Sequence, residues 1–230
     1  VKIFFMLDFT AYHRMLAAIR RHGAECRELY RLVGFLDSAI AVASYRKSVP
    51  VCCRPEFTES DEIHLRGLVH PLLSHPVPNT VTLRRSALIT GSNASGKSTF
   101  VKAVAVNAIL GQTIHTCLGE EFRFRPSFVV TSMAVRDDLE TGESYYIAEI
   151  RSLKRILDRL GGSTRCLCLV DEILRGTNTV ERIAASAAVL GYLSRRNCLA
   201  LVATHDIELT EITRGRFDNF HFQEQVDDSG

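Results

Sequence analysis

Residues 91–98 read Gly-Ser-Asn-Ala-Ser-Gly-Lys-Ser and satisfy the pattern G-x-x-x-x-G-K-[ST] at every fixed position. The spacing has a mechanical cause. Gly91 and Gly96 let the backbone curl until its N–H groups point inward at phosphate oxygens. Lys97 then reaches the β- and γ-phosphates, and the Ser98 hydroxyl takes a coordination position on Mg²⁺. The phosphate-contacting set is therefore Gly91, Ser92, Asn93, Ala94, Ser95, Gly96, Lys97, Ser98 and Thr99. A helix opening at Lys97 turns its positive end toward the same anion.

Two further groups complete a hydrolytic constellation. Cys166 to Val170 is an apolar strand that ends in Asp171 and Glu172. In a parallel sheet such a strand end faces the crevice that holds the phosphate loop. Asp171 is expected to hold Mg²⁺, directly or through water, and Glu172 to polarise the water that attacks the γ-phosphate. A strand ending in Asp-Glu is weak on its own; beside a full phosphate loop it is strong. The adjacent Glu separates the chain from phosphate-loop kinases, which exclude such a water. His205, in Ala203-Thr204-His205-Asp206, follows a third apolar strand and suits a γ-phosphate sensor or water-positioning role. Arg175 to Thr179 follows the carboxylates and precedes a helix, where Asn178 or Thr179 suits a cap.

These groups need a scaffold that brings strand ends together. Strands are expected near 63–69, 80–83, 86–90, 128–132, 166–170, 198–203 and 217–223, and helices near 97–110, 143–160, 180–195 and 206–213. The alternation predicts an α/β domain with a mostly parallel central sheet flanked by helices. Upstream, apolar positions at helical spacing predict two helices, about 9–22 and 24–47, broken near Gly23. Pro50, Pro55 and a polar run mark 51–62 as a linker. The expected organisation is a helical segment over 1–50, the linker, and a nucleotide-handling domain over 63–230.

Composition narrows the field. With 28 Lys+Arg against 26 Asp+Glu in 230 residues the net charge is +2, which gives no global case for nucleic acid or membrane. The basic excess is local: 1–50 carry +4 and 91–230 carry −2, so any DNA contact is expected outside the nucleotide-handling core. No apolar run approaches the roughly 20 residues that a spanning helix needs. Seven cysteines without a CxxC pair favour small buried thiols in a reducing, cytoplasmic setting over a disulfide framework or metal site. The chain starts at Val1 and reads as a piece of a longer protein.

The three motifs together resemble the ATPase domain of MutS-type DNA mismatch repair proteins, within the wider ABC ATPase class. The matching stretches are 88–100, 171–179 and 203–209, with His70-Pro71 and Val77-Pro78-Asn79 on the approach and Asp138 to Ser144 in place of the ABC signature loop. Leu174 stands where that family has Gly, Ala94 where it has Met, and Asp206 where an aromatic is common, which marks a divergent branch.

The resemblance implies ATP sandwiched between two subunits of a homodimer. Lys97, Ser98, Asp171, Glu172 and His205 would act in cis, and Ser144 in trans on the partner's γ-phosphate. It implies that 175–179 lies at the dimer interface, that Val77 and Pro78 flank the adenine, and that the N-terminal helices end a lever region. Nucleotide-driven dimer closure would be coupled to DNA binding by other regions. Two alternatives stand beside it: a slow-turnover dimerisation module that does not act on mismatches, and the nucleotide-binding domain of a transporter. The latter fits poorly with Thr141-Gly142-Glu143-Ser144 as a signature loop.

Overall fold

The computed structural model describes residues 7–92, 95–133, 145–174 and 176–223. The chain divides into two compact units, Val1–Pro50 and Val51–Gly230. In the first, α1 (Leu7–Arg21) and α2 (Gly23–Ser48) bury no residue. The break falls at His22, whose φ of −114° and ψ of 21° leave the helical region one residue before Gly23. The apolar spacing that foretold these helices is left in the open: Leu29, Leu32, Val33, Leu36 and Ile40 are all exposed.

The second unit holds two sheets. Its elements are β1 (Glu56–Phe57), β2 (Ile63–Leu68), β3 (Asn79–Leu83), β4 (Ala87–Gly91), α3 (Lys97–Ile114), β5 (Glu121–Phe124), β6 (Phe128–Ser132), α4 (Tyr145–Arg159), β7 (Cys166–Asp171), α5 (Thr179–Leu193), β8 (Cys198–Ala203), α6 (Glu208–Ile212) and β9 (Asp218–Phe222). Five strands form the predicted parallel sheet in the order β6-β7-β8-β4-β9, every pair parallel. Such a sheet needs both faces covered, and its strands are accordingly continuous apolar runs. Successive side chains go to opposite faces. Ile89, Leu167, Leu169, Leu199 and Leu201 meet α3 and the second sheet. Leu88, Cys166, Cys168, Val170 and Val202 meet α4, α5 and α6.

The smaller sheet, β1-β5-β2-β3, is mixed: β1 and β5 run parallel, the other pairs antiparallel. It was only partly foreseen. β5 is four residues of alternating Glu-Phe-Arg-Phe, too short to stand out by period. Residues 51–62, expected as a linker, are extended but stitched down: Cys53 and Cys117 exchange backbone hydrogen bonds of 2.8 and 2.9 Å, and β1 pairs with β5. Helix α3 runs four residues past its expected end at 110. Gly111 sits inside it because a Cβ there would lie 2.9 Å from the Cys117 sulfur, and the turn that ends the helix comes at His115, with φ of 49°.

All seven cysteines are free thiols. Burial pushes the Cys117 thiol up to about 12 and Cys198 up to about 11, and raises Cys168 further still. Among the described residues, no helix is long and apolar enough to cross a membrane.

Candidate nucleotide site

Sheet register assembles the site. Ile89 on β4 pairs with Ala203 on β8, and Ala203 pairs with Asp171 on β7. The phosphate loop, Glu172 and the 204–206 turn therefore leave one rim, the C-terminal edge of the parallel strands, where α/β sheets place ligands.

The loop leaves β4 at Gly91, whose φ is 146° and where an added Cβ would stand 2.4 Å from the Phe222 carbonyl oxygen. Only glycine passes there. Gly96, with φ of 92°, turns the chain into α3. Lys97 is 5% exposed; its ammonium donates to the Gly91 carbonyl at 2.8 Å and also to the Ser92 carbonyl. The charge is thus held in the mouth of the loop. Ser95 folds back on Ser92 through its hydroxyl at 3.0 Å, and Thr99 is exposed on the first turn of α3. Asn93 and Ala94 lie outside the described residues.

Ser98 donates its hydroxyl to Asp171 Oδ1 at 2.7 Å, across 73 residues of sequence. Asp171 is 9% exposed at the end of β7. The next residue bends sharply: Glu172 has φ of 63°, and its N–H donates to the Ala203 carbonyl at 2.9 Å. Leu174 repeats the left-handed conformation at φ of 55°. Two non-glycine residues there cost about 1–3 kcal/mol each. Leu174 keeps a turn that glycine would adopt freely and adds a buried side chain.

The turn aims Glu172 at His205, whose Nε2 lies 2.8 Å from Glu172 Oε1. The two line a cavity of about 250 Å³ with Ile173, Arg182, Thr204 and Asp206. The predicted residues Lys97, Ser98, Asp171, Glu172 and His205 all gather at this rim. Asn178, one of the two foreseen caps, accepts the Glu181 N–H at 3.0 Å and starts α5. Ser144, expected to act in trans, and Arg175, expected to open the interface loop, lie outside the described residues. Val77, expected beside the adenine, is 79% exposed.

Two participants had no sequence signal. Glu149 on α4, 5% exposed, accepts the Gly176 N–H at 3.3 Å and so ties that helix to the loop after Glu172. Arg182 in the first turns of α5 donates to both oxygens of Asp206, Nε to Oδ2 at 2.8 Å and Nη2 to Oδ1 at 2.6 Å. Glu181-Arg182 reads locally as an exposed helix face, and nothing in its spacing points 24 residues ahead.

A family model described as MutS domain V matches residues 87–229, from the strand that feeds the phosphate loop onward. The chain belongs to the MutS family. It is similar to the DNA mismatch repair protein msh3 of Botryotinia fuckeliana, 33% identical over 219 residues that cover 90% of this chain and 19% of the relative. The DNA mismatch repair protein MutS of Lactobacillus delbrueckii subsp. bulgaricus is 32% identical over 218 residues, 90% of this chain and 25% of its own length. MutS of Thermotoga maritima is 30% identical over 217 residues, 90% and 27%. The chain thus spans about a quarter or less of the MutS-family relatives it matches.

Proposed function

We propose that this MutS-family chain binds and hydrolyses ATP, with Mg²⁺, as the motor region of a mismatch repair or related DNA-binding protein. The observation that carries the reading is the placement of two pairs on one rim, Ser98 with Asp171 and Glu172 with His205, beside the Lys97 loop. The donor set fits Mg²⁺. Ser98 Oγ and Asp171 Oδ1 are hard oxygens 2.7 Å apart, and the described residues contain no cluster of three or more His, Cys, Asp or Glu. Mg²⁺ takes one or two protein oxygens and completes its shell with phosphate and water. When bound it would neutralise charge on the β- and γ-phosphates.

The residues divide the work. Lys97 and the loop N–H groups hold the phosphates. Glu172 takes a proton from water as the water oxygen bonds to the γ-phosphorus. The bond from that phosphorus to the β–γ bridging oxygen breaks, and ADP and phosphate leave. His205 holds the carboxylate and meets the γ-phosphate. Ser144 acts on the nucleotide of a second copy, so that ATP closes a homodimer of ABC type. DNA is engaged through regions outside this core, with 1–50 as the end of a lever.

The test is Glu172→Gln. The variant is expected to bind ATP with unchanged affinity and to lose turnover. Turnover at the wild-type rate would remove Glu172 from the base role, and failure of the wild-type protein to bind ATP would remove the whole reading.

A further inference from the structure

Residues 203–206 are held at five points. The Ala203 carbonyl accepts the Glu172 N–H, and the Thr204 N–H donates to the Ile89 carbonyl, both at 2.9 Å. The Asp206 N–H donates to Thr204 Oγ1 at 3.1 Å. The Leu209 N–H donates to the Asp206 carbonyl at 3.2 Å. The fifth tie is the Asp206 carboxylate in the Arg182 fork. The first two fix the chain before His205 to the neighbouring strands. The others fix it after His205: Leu209 ties the Asp206 backbone to α6, and the Arg182 fork ties its side chain to α5. His205 stands between these ties with its side chain 37% exposed in the cavity shared with Glu172.

We propose that Arg182 and Asp206 are positioning residues: together they set the His205 imidazole against Glu172. The kinetic consequence of this proposal rests on the ATP-hydrolysis reading above. An ordinary surface ion pair would be mobile and nearly neutral in energy. This one is different in three respects. Asp206 is 8% exposed. Both its oxygens are engaged by a planar guanidinium, so the contact fixes direction as well as distance. And both partners line the same cavity as Glu172 and His205.

The pair also has a specific reach. Arg182 sits four residues after Asn178, the cap that starts α5, and Thr177 donates to Glu181 Oε2 at 2.6 Å just before it. The start of α5 and the loop leading into it are therefore one braced piece, and Arg182 carries its position to the residue beside His205. A displacement of that loop is delivered to the imidazole through two hydrogen bonds. Lysine offers no fork and would keep the charge without the direction.

The experiment uses the intact protein. D206N and R182A are expected to lower kcat for ATP about 10- to 100-fold, the size of a small misplacement of a reacting group, with ATP affinity unchanged. R182K restores only part of the loss. In an H205A background D206N costs nothing further, because the residue it positions is gone. Exchange of the His205 C2 hydrogen, followed by mass spectrometry, becomes faster in D206N while that of His64 does not change.

Equal loss from D206N with and without His205, or wild-type kcat in both D206N and R182A, would overturn the proposal. So would unchanged His205 exchange in variants whose circular dichroism matches the wild type. Absence of ATP turnover in the wild-type protein would sink the hydrolysis reading instead, and the exchange measurement would still decide the brace.

Discussion

The parallel and the mixed sheet draw on the same residue types and use them in opposite ways. The three inner strands of the parallel sheet, β7, β8 and β4, are covered on both faces, and their polar groups gather toward the strand ends, where Asp171, Glu172, Thr204 and His205 emerge. The mixed sheet buries one face, its own Leu65, Leu83, Phe122 and Phe124 turned into the core. Its other face is a ladder of charge: Arg123 lies 2.9 Å from Glu56 and 2.6 Å from Glu121, and Arg66 2.9 Å from Glu120. Chemistry collects where strand direction converges. Where it alternates, charges pair off across the sheet and cancel.

That contrast can be broken in order of expected effect. Glu172→Gln at the parallel rim should cost about 10²–10⁴ in kcat, the range for a positioned general base, with ATP binding kept; a steady-state phosphate-release assay reads it. Leu169→Ala, on the fully buried β7, should cost about 2–5 kcal/mol by urea titration, because its neighbours on α3 cannot collapse onto the void.

The thiols of the parallel sheet give a pH prediction. Cys198 is held near 11, above its ordinary value of 9.0, and Cys168 higher still. Below pH 9 the contribution is complete. Above it the unfolded chain releases protons that the fold retains, so stability should fall from about pH 9 to about pH 11. A melting-temperature series in C168A/C198A with a shallower alkaline slope would confirm the source.

Arg123→Ala on the charge ladder should cost less than about 1 kcal/mol and leave kcat untouched. A larger loss would mean that the mixed sheet does more than cover one side of the core.

The sequence made some of this plain and hid the rest for physical reasons. The strand, loop and helix around Gly91–Ser98 were legible because every determinant is local. The meeting of Ser98 and Asp171 was legible because both were assigned to one Mg²⁺ site, Ser98 at the start of α3 and Asp171 at the end of β7. Glu172 could be named, but its left-handed backbone could not, since Leu174 occupies a conformation that sequence ordinarily signals with glycine. β5 was hidden by its length. Arg182 and Asp206 were hidden because their contact exists only when α5 packs beside α6 and the turn that leads into it. The apolar spacing of α1 and α2 foretold helices and says nothing of what covers them.

Strand order also sets a timetable. β4 carries the phosphate loop and ends at residue 91, but both its neighbours, β8 and β9, begin at or beyond residue 198. A ribosome adding about 5–20 residues per second leaves β4 without its partners for on the order of 5–20 seconds. Among the described strands β4 thus waits longest for its neighbours, and the nucleotide loop it carries, though made well before β8, is among the last parts of this sheet to take shape. Nascent chains stalled before β8 should neither retain ATP nor resist protease across 87–91, and should be the ones that chaperones hold.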